Sequence, residues 1–246
     1  PWAFARAKEG KFLEYDSPEY DAYQKAFDLK LGKRGVFAFN GAYYFVPMWN
    51  SETLKFNGDS WTDVLKVAKP GRVSTSDATR SDPTLMTYMG LRKVIDKSFF
   101  EQYAALKPSF MYKSENTASR LVAGEDIIAL IGMPTRAFQF NAKGAKLEYM
   151  RPKEGVVIIP QVMFIMKDAP HPNAAKLWLD FVLSEEGQAI VAAREFLMSG
   201  RAGFKHPVAG FPTIEDTKAI ALDYETITEE EMQKYRDEYR SIYFAK

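Results

Sequence analysis

Hydrophobic and polar positions change period repeatedly along the chain, and that alternation predicts short strands interleaved with helices. Residues 36–48 (Val-Phe-Ala-Phe-Asn-Gly-Ala-Tyr-Tyr-Phe-Val-Pro-Met) are rich in aromatic and β-branched types and are read as two strands meeting at a turn at Asn40-Gly41. A short helix from Trp61 ends near Lys69-Pro70-Gly71, and a strand follows over residues 72–75. Pro83, behind the capping candidates Ser81 and Asp82, marks a helix start. That helix carries Thr84, Tyr88, Leu91 and Ile95 on one face, which should pack on a sheet. Another helix is read from Ser114 to Gly124, where glycine can take the left-handed terminating conformation. Residues 127–131 are almost wholly apolar and too few for a helix, so they read as a buried strand; residues 156–159 and 162–166 read as strands as well. Asn173 is read as the cap of a helix with Ala174, Leu177, Trp178 and Phe181 inward, and Ser184 as the cap of the next. The chain closes on a capping box at Thr228 to Glu231 and a Met232, Tyr235, Tyr239, Ile242 stripe.

Strands alternating with helices predict an α/β protein with largely parallel sheets, whose ligand sites lie at strand ends. The polar segment Ser74 to Thr84 falls at such an end. At 246 residues and 46% hydrophobic content the chain can bury a sizeable core and sits at the size where one domain commonly gives way to two. A formal charge of +1 with both signs scattered argues against a nucleic-acid partner. The absence of cysteine excludes disulfides, thiolate metal sites and cysteine nucleophiles. The longest apolar runs are too short, or too interrupted by Pro160 and Gln161, to span a bilayer. The first residues, Pro-Trp-Ala-Phe-Ala-Arg, show no basic start followed by an apolar stretch, so no signal peptide is read in this chain.

In the Ser74 to Thr84 run, backbone amides and hydroxyls meet where the helix dipole favours an anion. An ordinary capped turn, with the side chains serving only the helix, is the alternative. Arg80 within the run can fork onto a carboxylate or phosphate. Arg136 follows the strand at 127–131, and two arginines after two strand ends fit one anion pocket, against the reading of Arg136 as a surface residue. Tyr43 and Tyr44 are candidate phenolate ligands for a metal, but strand neighbours point to opposite faces, which favours packing roles. With only His171 and His206, each beside a proline, the histidine triads and zinc motifs have little to work with, and catalysis is not expected.

Gly71-Arg-Val-Ser-Thr-Ser-Asp-Ala-Thr-Arg-Ser-Asp-Pro-Thr84, the Leu121-Val-Ala-Gly-Glu125 stretch and above all the run from Ala169 to Gln188 resemble the family 1 extracellular solute-binding proteins of ABC transporters, especially the ferric-iron-uptake group. The resemblance covers roughly Gly10 to Gln188. It implies a type II periplasmic-binding architecture: two α/β lobes with mixed, mostly parallel sheets, joined by crossing hinge strands and closing on ligand like a clamshell. It implies a periplasmic or extracytoplasmic monomer working with permease and ATPase subunits, without a cofactor. In that family a strand, helix and strand precede the position where this chain starts, so the first lobe is expected to be N-terminally truncated. The expected division is 1–50 as the remainder of lobe 1, 51–154 as lobe 2, 155–204 as the return to lobe 1, and 205–246 as C-terminal helices packing mainly on lobe 2.

Iron-binding members place adjacent tyrosines after the apolar strand, where this chain has Met133-Pro-Thr-Arg136. An arginine repels ferric ion and suits a phosphate, phosphonate or carboxylate. The expectation is therefore capture of a small anionic solute by Thr79, Arg80, Ser81, Thr84 and Arg136, with Ser114 and Asn50 as secondary ligands. A ferric-iron carrier using Tyr43 or Tyr44, and an α/β enzyme with an anion pocket, are the rival readings.

Overall fold

The computed structural model describes residues 1–245, which alternate strands and helices as the periodicity requires. Helices α1 (Trp2–Lys8) and α2 (Gln24–Asp28) precede strands β1 (Ala38–Tyr43) and β2 (Val46–Asn50). A 3-10 turn at Trp61–Asp63 runs into α3 (Val64–Val67), then β3 (Val73–Ser76), α4 (Asp82–Leu91) and α5 (Lys97–Ala105). Next come β4 (Ser109–Met111), α6 (Ser114–Val122), β5 (Ile128–Gly132), α7 (Pro134–Asn141) and β6 (Leu147–Tyr149). The last elements are β7 (Ile159–Met163), α8 (Pro172–Leu183), α9 (Glu185–Glu195) and α10 (Glu229–Tyr243). Among the described residues no helix is long and apolar enough to cross a membrane.

Two compact units form. The first comprises residues 1–43, 159–217 and 223–228, and the second the other described residues.

In the first unit β1 pairs antiparallel with β7, from Ala38 opposite Met163 to Tyr43 opposite Ile159. The expected turn at Asn40-Gly41 is instead a bulge inside β1, where the register shifts between Phe39 and Gly41. Gly41 suits that place because a Cβ there would lie 3.1 Å from Leu197 Cβ. Ser184 caps α9 as expected, its Oγ accepting the Gly187 N–H at 3.2 Å. Two expectations for α8 are corrected. The helix begins at Pro172, so Asn173 lies in its first turn and is not the cap. Its inward face is Leu179, Val182 and Leu183, while Leu177 is 72% and Trp178 60% exposed. The rotation is fixed by Asp180, whose carboxylate accepts the hydroxyls of Tyr15 and Ser17, each at 2.6 Å.

The second unit holds a five-stranded sheet in the order β4-β3-β5-β2-β6. β3 runs parallel to β4 and β5, and β2 runs antiparallel to β5 and β6. Met48, Ala129 and Leu147 from the sheet pack with Ala118 and Leu121 of α6 and Ala137 of α7 into a buried cluster. α4 begins at the Ser81 cap as the sequence indicates, but every residue from Thr84 to Leu91 is buried, so it has no solvent face there. Part of that enclosure comes from α10, whose Glu238 accepts the Tyr88 hydroxyl at 2.6 Å and the Arg92 Nε–H at 2.8 Å. α6 ends at Val122, and Gly124 takes a φ of +70° as its composition allows.

Candidate functional site

Because β4, β3 and β5 are mutually parallel, their carboxyl ends, Met111, Ser76 and Gly132, open on one edge of the sheet. From each the chain turns into a helix: α6 begins at Ser114, α4 at Asp82 and α7 at Pro134. The positive ends of these helices lie on the strand-end side, the usual place for a ligand on an open α/β sheet.

The turn after β3 is built around Asp77, which is 4% exposed. Its Oδ1 accepts the Thr79 N–H at 2.8 Å and the Thr79 hydroxyl at 2.6 Å, an Asx turn that sequence reading passed over. Arg80 leaves this turn with its side chain 70% exposed; Nε lies 3.7 Å from Asp77 Oδ2, and the guanidinium sits 5.4 Å over the Tyr112 ring. Ser81 caps α4, its Oγ accepting the Thr84 N–H at 3.4 Å and the Thr84 hydroxyl at 2.9 Å. The capped-turn reading thus accounts for the hydroxyls of Thr79 and Thr84. Ser81 accepts both contacts and donates its own proton to no described residue.

The turns after β4 and β5 are joined by Arg136. Its Nε–H donates to Ser114 Oγ at 2.9 Å, and Nη1 donates to Gln139 Oε1 at 2.6 Å and lies 3.3 Å from Glu115 Oε1. Among the described residues Nη2 meets no acceptor, and the side chain keeps one quarter of its surface exposed. The backbone N–H groups of Ser114 and Glu115 also lack an acceptor among the described residues. Glu115, 58% exposed, competes with an anion for the guanidinium. One turn further along α6, Thr117 buries its hydroxyl without a partner.

The fold therefore gathers Thr79, Arg80, Ser81, Thr84, Ser114 and Arg136 on the strand-end edge, with Arg80 reaching from the β3 turn to the β4 turn. Asn50 is placed elsewhere. β2 runs antiparallel to β5, so Val46 pairs with Gly132 at the site edge and Asn50 lies at the opposite edge, beside Leu147. There it is 3% exposed, accepts the Glu52 N–H at 3.0 Å and donates to Leu121 O at 3.5 Å, which is a turn-forming role. Burial pushes the Tyr43 phenol above its ordinary range, and does so more strongly for Tyr44, which lies 5% exposed. That direction opposes the phenolate a ferric site needs.

An edge of this kind occurs in many α/β proteins, and what decides among them is the sequence of the whole chain. The family model of the bacterial extracellular solute-binding proteins matches residues 2–230. The chain belongs to that family. No curated protein sequence matches this solute-binding protein at a significant level. Among solved structures, the periplasmic binding protein P5PA is similar with a TM-score of 0.74 at 22% identity, over 97% of this chain and 79% of that one. AfuA from Actinobacillus pleuropneumoniae, with exogenous fructose-6-phosphate bound, gives a TM-score of 0.74 at 20% identity, over 98% of this chain and 79% of that one. Iron-bound HitA from Pseudomonas aeruginosa gives 0.74 at 16% identity, over 97% and 78%. At these identities the likeness establishes the fold, the periplasmic-binding architecture that the resemblance implied.

Proposed function

We propose that this solute-binding protein captures a small anionic solute bearing a phosphate, phosphonate or carboxylate group, and delivers it outside the cytoplasm to the permease and ATPase subunits of an ABC transporter. The observation that carries the reading is Arg136: it is oriented by Ser114 and, among the described residues, keeps Nη2 unpartnered and stands beside the unpaired N–H groups that open α6. A guanidinium and helix-start amides offer only donors, which match an oxyanion and repel a cation. Arg80 adds a second positive charge on the same edge, and the Ser81 hydroxyl a further donor. AfuA, which shares the fold, has fructose-6-phosphate bound. No residue of the set is arranged as a nucleophile with a base, and binding alone accounts for the arrangement.

Arg136→Ala tests the reading. Removing a hydrogen-bonded charge from an anion site costs about 2–5 kcal/mol of affinity, so calorimetric titration with the anion that the wild-type protein binds should show a loss of at least about thirtyfold. The free protein's melting temperature should move little, since the side chain holds only Ser114, Gln139 and Glu115. Unaltered affinity would place Arg136 outside the site.

A further inference from the structure

Val94, Tyr112, Val122 and Phe244 are the large apolar side chains exposed on the second unit, and among them Tyr112 lies on the strand-end edge. It follows Met111, the last residue of β4, and precedes by two residues the Ser114 that holds Arg136. Tyr112 is 66% exposed, and the Arg80 guanidinium lies over one face of its ring at 5.4 Å from the ring centre. Arg80 is itself anchored through its backbone N–H to Asp77 O at 3.2 Å. The result is a flat, polarised surface on the same strand-end edge as Arg136, a combination that grips a ring by stacking and a charge by pairing. A bare inorganic anion would leave the ring unused.

We infer that Tyr112 is the platform for the uncharged part of the solute, and that the solute is an organic anion with an unsaturated ring: the ring lies on Tyr112 while the charged group reaches Arg136 and the start of α6. This rests on the anion reading and narrows it. The probes that separate the two are phenyl phosphate and methyl phosphate, which share a charged group and differ in the ring. Stacking on an aromatic side chain contributes about 1–3 kcal/mol, so the wild-type protein should prefer phenyl phosphate by roughly five-fold or more. In Tyr112→Ala the ratio of the two affinities should fall close to one, and in Tyr112→Phe it should persist, since the face and not the hydroxyl is used. Equal binding of both esters by the wild type, or a ratio untouched in Tyr112→Ala, overturns the inference and leaves the anion reading standing. Failure of both esters to bind overturns the inference, and takes the anion reading with it when fructose-6-phosphate and inorganic phosphate also give no heat.

Discussion

Arg136 and Ser114 are separated by a helix and a strand in the sequence and by 2.9 Å in the fold; Arg136 is legible because it follows an apolar run that reads as a strand, and Ser114 because it opens a helix. Asp77 and Tyr112 stand in equally visible turns but carried no signal: an Asx turn and a ring under a guanidinium depend on where the neighbouring strand places its turn. Asn50 lies apart from the other candidates for a related reason, since strand direction, which sends it to the far edge, is not written in periodicity. His206 bears on stability. Its Nδ1 accepts the Val208 N–H at 3.0 Å, its ring stacks on Phe211 at 4.1 Å, and burial lowers its pKa from 6.5. The unfolded chain therefore takes up this proton more readily than the folded one, and stability drains away as pH falls below 6.5 toward the lowered native value. His206→Asn offers an acceptor in the place of Nδ1 without titrating. Its melting temperature should fall less than the wild type's between about pH 6.5 and 5; parallel acid limbs would show that the ring is not responsible.

At the level of elements, strands and caps were legible and faces were less so. Ser81 and Ser184 cap the helices they were expected to cap, because a hydroxyl before an acidic or proline first turn is a local signal. Apolar content alone points Leu177 and Trp178 of α8 inward, whereas among the described residues the buried positions are Leu179, Val182 and Leu183, and Asp180 accepts the hydroxyls of Tyr15 and Ser17. The corner between α8 and α9 rests on Gly187, where a Cβ would lie 2.0 Å from Phe181 O and 2.8 Å from Val182 Cα. A backbone obstacle of that kind cannot swing aside. Gly187→Ala should cost about 1–3 kcal/mol, read as a lower urea midpoint at unchanged slope; an unshifted midpoint would mean that the corner yields.

For the whole molecule, the lack of cysteine excludes disulfides and thiolate metal sites, and the run from Ala169 to Gln188 carries the resemblance that the match over residues 2–230 establishes. Solute class is a finer matter, because similar folds serve unlike solutes: fructose-6-phosphate is bound to AfuA and iron to HitA. For this chain the donors on the strand-end edge favour the anion, and the raised phenols of Tyr43 and Tyr44 disfavour ferric iron. The direct measurement is a paired titration of the purified protein, calorimetric with fructose-6-phosphate, phenyl phosphate and inorganic phosphate, and spectroscopic with ferric citrate. The account predicts saturable heat with at least one phosphate and no visible tyrosinate-to-iron charge-transfer band. A visible band on adding ferric iron, with no heat from any phosphate, would contradict it.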